Sequence, residues 1–182
     1  PFRYVGPVRD GTLWLVGMMG AGKSSVGALL AARLGLPLVD LDRAIESAAG
    51  RSIPELFASE GEAGFRQREA EVIDALSSRD GVLVSTGGGA VLDPLTRERL
   101  RARGRVVYLR TSVDQQLART RRSNDRPLLN NDDPRGTLER LFEQRAPLYA
   151  EVAEIVVDTD GRKVKAVVDQ ICHQLGIDGV EP

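Results

Sequence analysis

The segment that most restricts the fold is "TLWLVGMMGAGKSSVGALLAARLG", residues 12–35. Its apolar start, "TLWLV", suits a buried strand. A loop with three glycines follows. Val26, Leu29, Leu30 and Leu34 then recur at helical spacing before a stop at Gly35. The pattern repeats along the chain. "LPLVDLD", "GVLVSTGGG", "RVVYLR" and "EIVVD" read as strands. "EAGFRQREAEVIDALSS", "DPLTRERLRARG", "TSVDQQLARTRR", "PRGTLERLFEQRAPLYAEVA" and the stretch from Val164 to Leu175 read as helices. A further short helix opens at "SIPELF", where Ser52 and Glu55 form a capping box. Asp93 caps a helix with Pro94 in its first position. Five strands separated by helices predict a three-layer α/β/α fold around a five-stranded parallel sheet. No repeat or linker divides the 182 residues, so one domain, 1–182, is expected.

In such sheets ligands bind beyond the carboxyl ends of the strands. Three polar clusters fall there: "GMMGAGKSS", "DLD" and "STGGG". Residues 17–24 match G-x-x-x-x-G-K-[ST]. Glycines let backbone N–H groups turn inward around an anion, and the dipole of the following helix favours negative charge. Lys23 can reach β- and γ-phosphates, and the Ser24 hydroxyl can ligate Mg²⁺. Gly20, Ala21, Gly22, Lys23, Ser24 and Ser25 are therefore the expected nucleotide contacts.

The guanine-reading N-K-x-D is absent, and the strands that usually end in a metal-holding acid end instead in Ser-Thr and in Arg. Asp40 and Asp42 are the remaining candidates. In extended chain they project to one side, where one can hold Mg²⁺ and the other can take a proton from a substrate hydroxyl. The competing reading is a helix cap near Arg43, which Asp42 could supply. In "GFRQRE", Arg66 and Glu69 are neighbours on one helix face. They form either an intrahelical ion pair or a pocket wall, with Gly64 and Phe65 beside them. Gly87, Gly88 and Gly89 suggest close approach of the backbone to a ligand. Arg126, in the polar loop "SNDRPLLNNDD", can swing onto a transferring phosphoryl group. Arg145 reads equally as a solvated helix residue or a ligand contact. Met18 and Met19 show no demand on their side chains.

The net charge of −1 argues against non-specific nucleic-acid or anionic-membrane binding. No apolar run reaches the ~18–20 residues of a membrane span. The N-terminus lacks the apolar stretch of a signal peptide. One cysteine, Cys172, precludes an intrachain disulfide, and with one histidine, His173, a Cys/His zinc site is excluded. This pair reads as a buried thiol and a surface imidazole on the last helix. A cytoplasmic location fits.

Taken in order, "GMMGAGKSSVGALLAARLGLPLVDLD", "GRSIPELFASEGEAGFRQREAEVI", "STGGGAV", "DRPLL" and "QRAPLY" resemble the shikimate kinases, from about Leu13 to Leu175. The resemblance implies a small nucleoside-monophosphate-kinase-like fold with a lid, here near 119–133. It implies ATP- and Mg²⁺-dependent phosphorylation of the 3-hydroxyl of shikimate by a monomer, within aromatic amino-acid biosynthesis. By resemblance, Asp40 helps place the metal beside Ser24, and Asp42 contacts the substrate hydroxyls as base. Arg66 and Arg145 hold the shikimate carboxylate, and Glu69 positions Arg66 or water. Phe57 and Phe65 wall the pocket, and Gly87 to Gly89 line it. Arg126 is the lid arginine, and Arg119 and Arg162 lie on the adenine side. A gluconate-kinase-like enzyme would share the phosphate loop but not Arg66, Glu69 and the triple glycine. A non-catalytic nucleotide-binding regulator is the other alternative, although the candidate catalytic residues are all present.

Overall fold

The computed structural model describes residues 11–120 and 132–177. Strands β1 (Thr12–Val16), β2 (Leu38–Asp40), β3 (Val82–Ser85), β4 (Gly104–Arg110) and β5 (Ile155–Asp158) form one sheet in the order β2-β3-β1-β4-β5. Every pairing is parallel. The helices are α1 (Lys23–Leu34), α2 (Leu41–Ala49), α3 (Ile53–Ser77), α4 (Pro94–Ala102), α5 (Val113–Thr120), α6 (Pro134–Val152) and α7 (Val164–Gln174). Arg126 and the interior of the expected lid lie outside the described residues, as do residues 1–10.

Alternation along β1 builds two cores. Leu13 and Leu15 pack with Val26 and Leu30 of α1 and Val167, Val168 and Ile171 of α7. Trp14 and Val16 face the opposite layer, with Ile45 of α2, Ile73 of α3, Leu100 of α4 and Tyr149 of α6. All four β1 side chains have 0% exposure, as a central parallel strand requires. β1 pairs with β3 on one side and β4 on the other, so the loops after β1 and β3 emerge side by side. Cys172 is buried and His173 exposed, as expected.

Some local expectations change and others hold. Helix α2 starts at Leu41, and its cap is Asp40, whose carboxylate accepts from Arg43 N at 3.1 Å. Asp42 therefore lies in the first helical turn, and the extended-chain argument for the two acids does not apply. The short helix at "SIPELF", opened by the Ser52–Glu55 capping box, and the longer one after it are found as expected: they are the two arms of α3, separated by the non-helical Gly61 at φ 69° and ψ −173°. That kink explains Gly64, where a Cβ would meet Glu60 Cβ at 2.5 Å; Glu60 in turn pairs with both Arg68 Nε and Nη2. Met18 is 1% exposed and fills the second core, so its side chain is in demand after all.

Candidate active site

At the carboxyl end of the sheet lies a cavity of about 650 Å³. The phosphate loop forms one wall. Gly20 and Gly22 take φ 75° and 96°, the left-handed region that lets successive amides turn toward one point. Lys23 opens α1, and its ammonium donates to Gly17 O at 2.8 Å and Met18 O at 2.9 Å. Gly20, Gly22, Lys23, Ser24 and Ser25 line the cavity. Ala21 does not: its methyl group packs into the first core and its amide closes the loop onto Met18 O at 3.2 Å.

The rest of the lining comes from the end of β2, from α2, α3 and α6, and from the turn after β3. It brings Asp40, Asp42, Phe65, Arg66, Glu69, Gly87, Gly88, Gly89 and Arg145 to the same cavity. The ambiguity at Arg66 and Glu69 resolves as both readings at once. Arg66 Nη1 donates to Glu69 Oε2 at 2.7 Å, and both face the cavity. Glu69 is only 3% exposed. Burial pushes its carboxyl above the usual carboxylate range; the Arg66 and Arg145 charges pull it down, and Asp42 pushes it further up. Arg145 is 8% exposed, not solvated, and its Nε is buried without a hydrogen-bond partner.

Each of the three glycines lies against one polar head, and at Gly87 and Gly89 a side chain would crowd it. A Cβ on Gly87 would lie 2.9 Å from Asp42 Oδ1, and one on Gly88 would lie 3.4 Å from Arg145 Nη1. On Gly89 it would fall 2.6 Å from Arg66 Nη1 and Nη2. The turn is a floor on which two guanidiniums and a carboxylate rest. Phe65 lines the cavity and stacks on Phe57 at 4.6 Å, with Arg66 Cζ 5.2 Å from the Phe65 ring centroid. Phe57 itself is 40% exposed and touches the cavity only through Phe65.

Arg119 lines the cavity beside the phosphate loop. Its Nη1 donates to Gly20 O at 2.8 Å and its Nη2 to Thr159 O at 3.0 Å, joining the phosphate loop to the segment after β5. Asp160 secures the start of α5 by accepting from Thr111 Oγ1 at 2.7 Å and Ser112 N at 3.1 Å. Burial opposes its charge, yet those bonds keep its carboxyl below the usual range. Arg162 does not line the cavity. Its guanidinium is taken up by Asp158 O, Ala166 O and Gln170. The lining residues that sequence reasoning passed over are Met19, Ile53, Ser85 and Thr86. Ser85 and Thr86 carried a signal, because they immediately precede the triple glycine.

Chemically, the cavity pairs a polyphosphate cradle with a second anion site of two arginines, and a carboxylate stands beside them. Such an arrangement can align an anionic polyol with the end of a nucleotide triphosphate.

Comparison with known proteins agrees with this layout. The shikimate kinase family model matches residues 19–176. A shikimate kinase of Halorhodospira halophila is 56% identical over 163 residues, covering 90% of this chain and 92% of the relative. The structure of a shikimate kinase from Acinetobacter baumannii in complex with shikimate superposes with a TM-score of 0.87 at 41% identity, covering 96% and 97% of the two chains. A gluconokinase from Sinorhizobium meliloti shares the fold alone, with a TM-score of 0.63 at 20% identity over 92% and 93%. With the family model matching residues 19–176 and a relative 56% identical over 90% of this chain, the chain belongs to the shikimate kinase family.

Proposed function

We propose that this protein transfers the γ-phosphoryl group of ATP to the 3-hydroxyl of shikimate, giving shikimate 3-phosphate and ADP in aromatic amino-acid biosynthesis. One observation carries the reading. Arg66 and Arg145 stand over the glycine floor in the same cavity as the phosphate loop, with Asp42 beside them. Two guanidiniums suit a carboxylate, because each can form paired hydrogen bonds with it.

Asp42 accepts the proton of the 3-hydroxyl as its oxygen bonds to phosphorus and the bond to the ADP oxygen breaks. Lys23 and the loop amides hold the phosphates and neutralise charge. Phe65 and Ile53 exclude water from the acceptor side. The residues present also fit magnesium. Among the described residues no three His, Cys, Asp or Glu side chains cluster, and a magnesium–polyphosphate needs none, since one or two protein oxygens suffice beside phosphates and water. Ser24 and Asp40 would hold the ion, which when bound supplies further neutralisation of phosphate charge. Arg126 serves as the lid arginine, Arg119 lies on the nucleotide side, and the chain works as a single-domain cytoplasmic monomer. Among the described residues no helix is long and apolar enough to cross a membrane.

The test is ADP release with shikimate and with gluconate, followed by ³¹P NMR of the product. Turnover confined to shikimate, with phosphate on the 3-oxygen, is expected. Activity on gluconate and none on shikimate overturns the reading.

A further inference from the structure

The two arginines of the acceptor site are held by different chemistry. Arg66 has a carboxylate partner, Glu69, at 2.7 Å. Arg145 has no carboxylate within salt-bridge distance among the described residues, although its charge is felt at Glu69. What lies against it is Tyr149, one helical turn further along α6 and 0% exposed. The same point above Gly88 is 3.4 Å from Arg145 Nη1, 3.5 Å from Tyr149 Oη and 3.8 Å from Gly17 O. The Tyr149 hydroxyl donates to Gly88 O at 2.5 Å and has Met18 Sδ at 3.7 Å. Its ring stacks on Tyr108 of β4, centroids 5.0 Å apart. One phenol thus touches α6, the glycine floor, the phosphate loop and the central sheet.

We propose that Tyr149 is the positioning residue of the acceptor anion site: it fixes Arg145 over Gly88 and, being neutral, leaves the charge of Arg145 for the incoming carboxylate. The inference rests on the function proposed above. A carboxylate in this place would also fix Arg145 but would compete for it, as an internal counter-ion does. Burial pushes the Tyr149 phenol far above its ordinary titration range, against the opposing effect of Arg145, so the hydroxyl keeps its proton and adds no negative charge beside Arg145. The cluster also accounts for Met18, whose thioether fills the space beside the hydroxyl.

The test is a cycle of Tyr149→Phe, Arg145→Ala and the double variant, read in the KM for shikimate and the KM for ATP. Loss of the hydroxyl is expected to raise the shikimate KM about five- to tenfold, the worth of one hydrogen bond, and to leave the ATP KM within about twofold. In the Arg145→Ala background the same change is expected to add less than about twofold, because the effect travels through Arg145. KM does not depend on the folded fraction, so a partly unfolded Tyr149→Phe preparation still gives the reading. An unchanged shikimate KM, or two effects that multiply, overturns the inference while the function stands. A wild type that turns over ATP with no shikimate dependence overturns the function, and this inference with it.

Discussion

Replacing Gly88 and Gly89 by alanine in turn separates what the turn does for the fold from what it does for the site. A Cβ on Gly89 would lie 2.6 Å from both terminal nitrogens of Arg66 and 2.9 Å from its Cζ. The guanidinium has to retreat by about 0.8 Å to reach ordinary contact at 3.4 Å. Misplacement on the order of 1 Å can cost on the order of 10²-fold. A charge-assisted hydrogen bond is worth about 1.5–3 kcal/mol. Both routes give a shikimate KM raised about 10- to 100-fold in Gly89→Ala. The fold has little at stake. Gly89 has φ −94° and ψ −7°, open to any residue, and Arg66 is a flexible side chain with 24% exposure that can swing aside. Relief of glycine entropy offers about 0.4–1 kcal/mol in return, so Tm is expected within about 3 °C of wild type. At Gly88 the nearest groups stand at 3.4 and 3.5 Å, so Gly88→Ala is expected to change the KM by less than about threefold. The assay is ADP release against shikimate concentration, with a thermal melt of each variant. A Gly88→Ala effect equal to that of Gly89→Ala, or unfolding of Gly89→Ala, refutes the reasoning.

Asp42→Asn is expected to lower kcat at least about 10²-fold, the low end for a lost general base, with ADP affinity by calorimetry retained; unchanged turnover removes Asp42 from that role. Gly17→Ala acts on the fold instead: at φ 147° its Cβ would lie 2.6 Å from Leu109 O, backbone against backbone. It is expected to cost about 2–3 kcal/mol and to lower Tm by about 4–12 °C; a melt within 1–2 °C of wild type, on the order of experimental scatter, contradicts that. Glu69 is held above the usual carboxylate range by burial, with Arg66 and Arg145 opposing and Asp42 adding. Its folded-state pKa exceeds its unfolded one, so its contribution to stability is present below the unfolded value and lost as pH rises through the folded value. The Tm of Glu69→Gln minus that of wild type should therefore grow with pH across that interval; a flat or falling difference contradicts the assignment.

Much of the fold was legible, because hydrophobic period and glycine punctuation act locally. β1, α1 and the Gly35 stop follow from residues within one turn of each other. Most acceptor-site residues were also legible, since their spacing is restrictive even where their geometry is open. What escaped depends on contacts distant in sequence. Burial of Arg145 and Met18 is decided by Tyr149 and the glycine floor, which no local window contains. The choice of Asp40 over Asp42 as cap turns on where α2 begins, and two acids of similar capping strength leave that boundary undecided. The face after Gly64 does border the cavity, as expected, but Gly64 itself lies against Glu60, because glycine reports close approach without naming the neighbour. Arg162 fits an adenine-side role by position alone; its hydrogen bonds to the start of α7 appear only in three dimensions.

A crystal structure with shikimate and ADP bound tests the central claim most directly. The account predicts the shikimate carboxylate between Arg66 and Arg145 over Gly88 and Gly89, with the 3-hydroxyl within hydrogen-bonding distance of Asp42 and facing the phosphate loop. A carboxylate bound away from both arginines, or a 3-hydroxyl turned from Asp42, would contradict it.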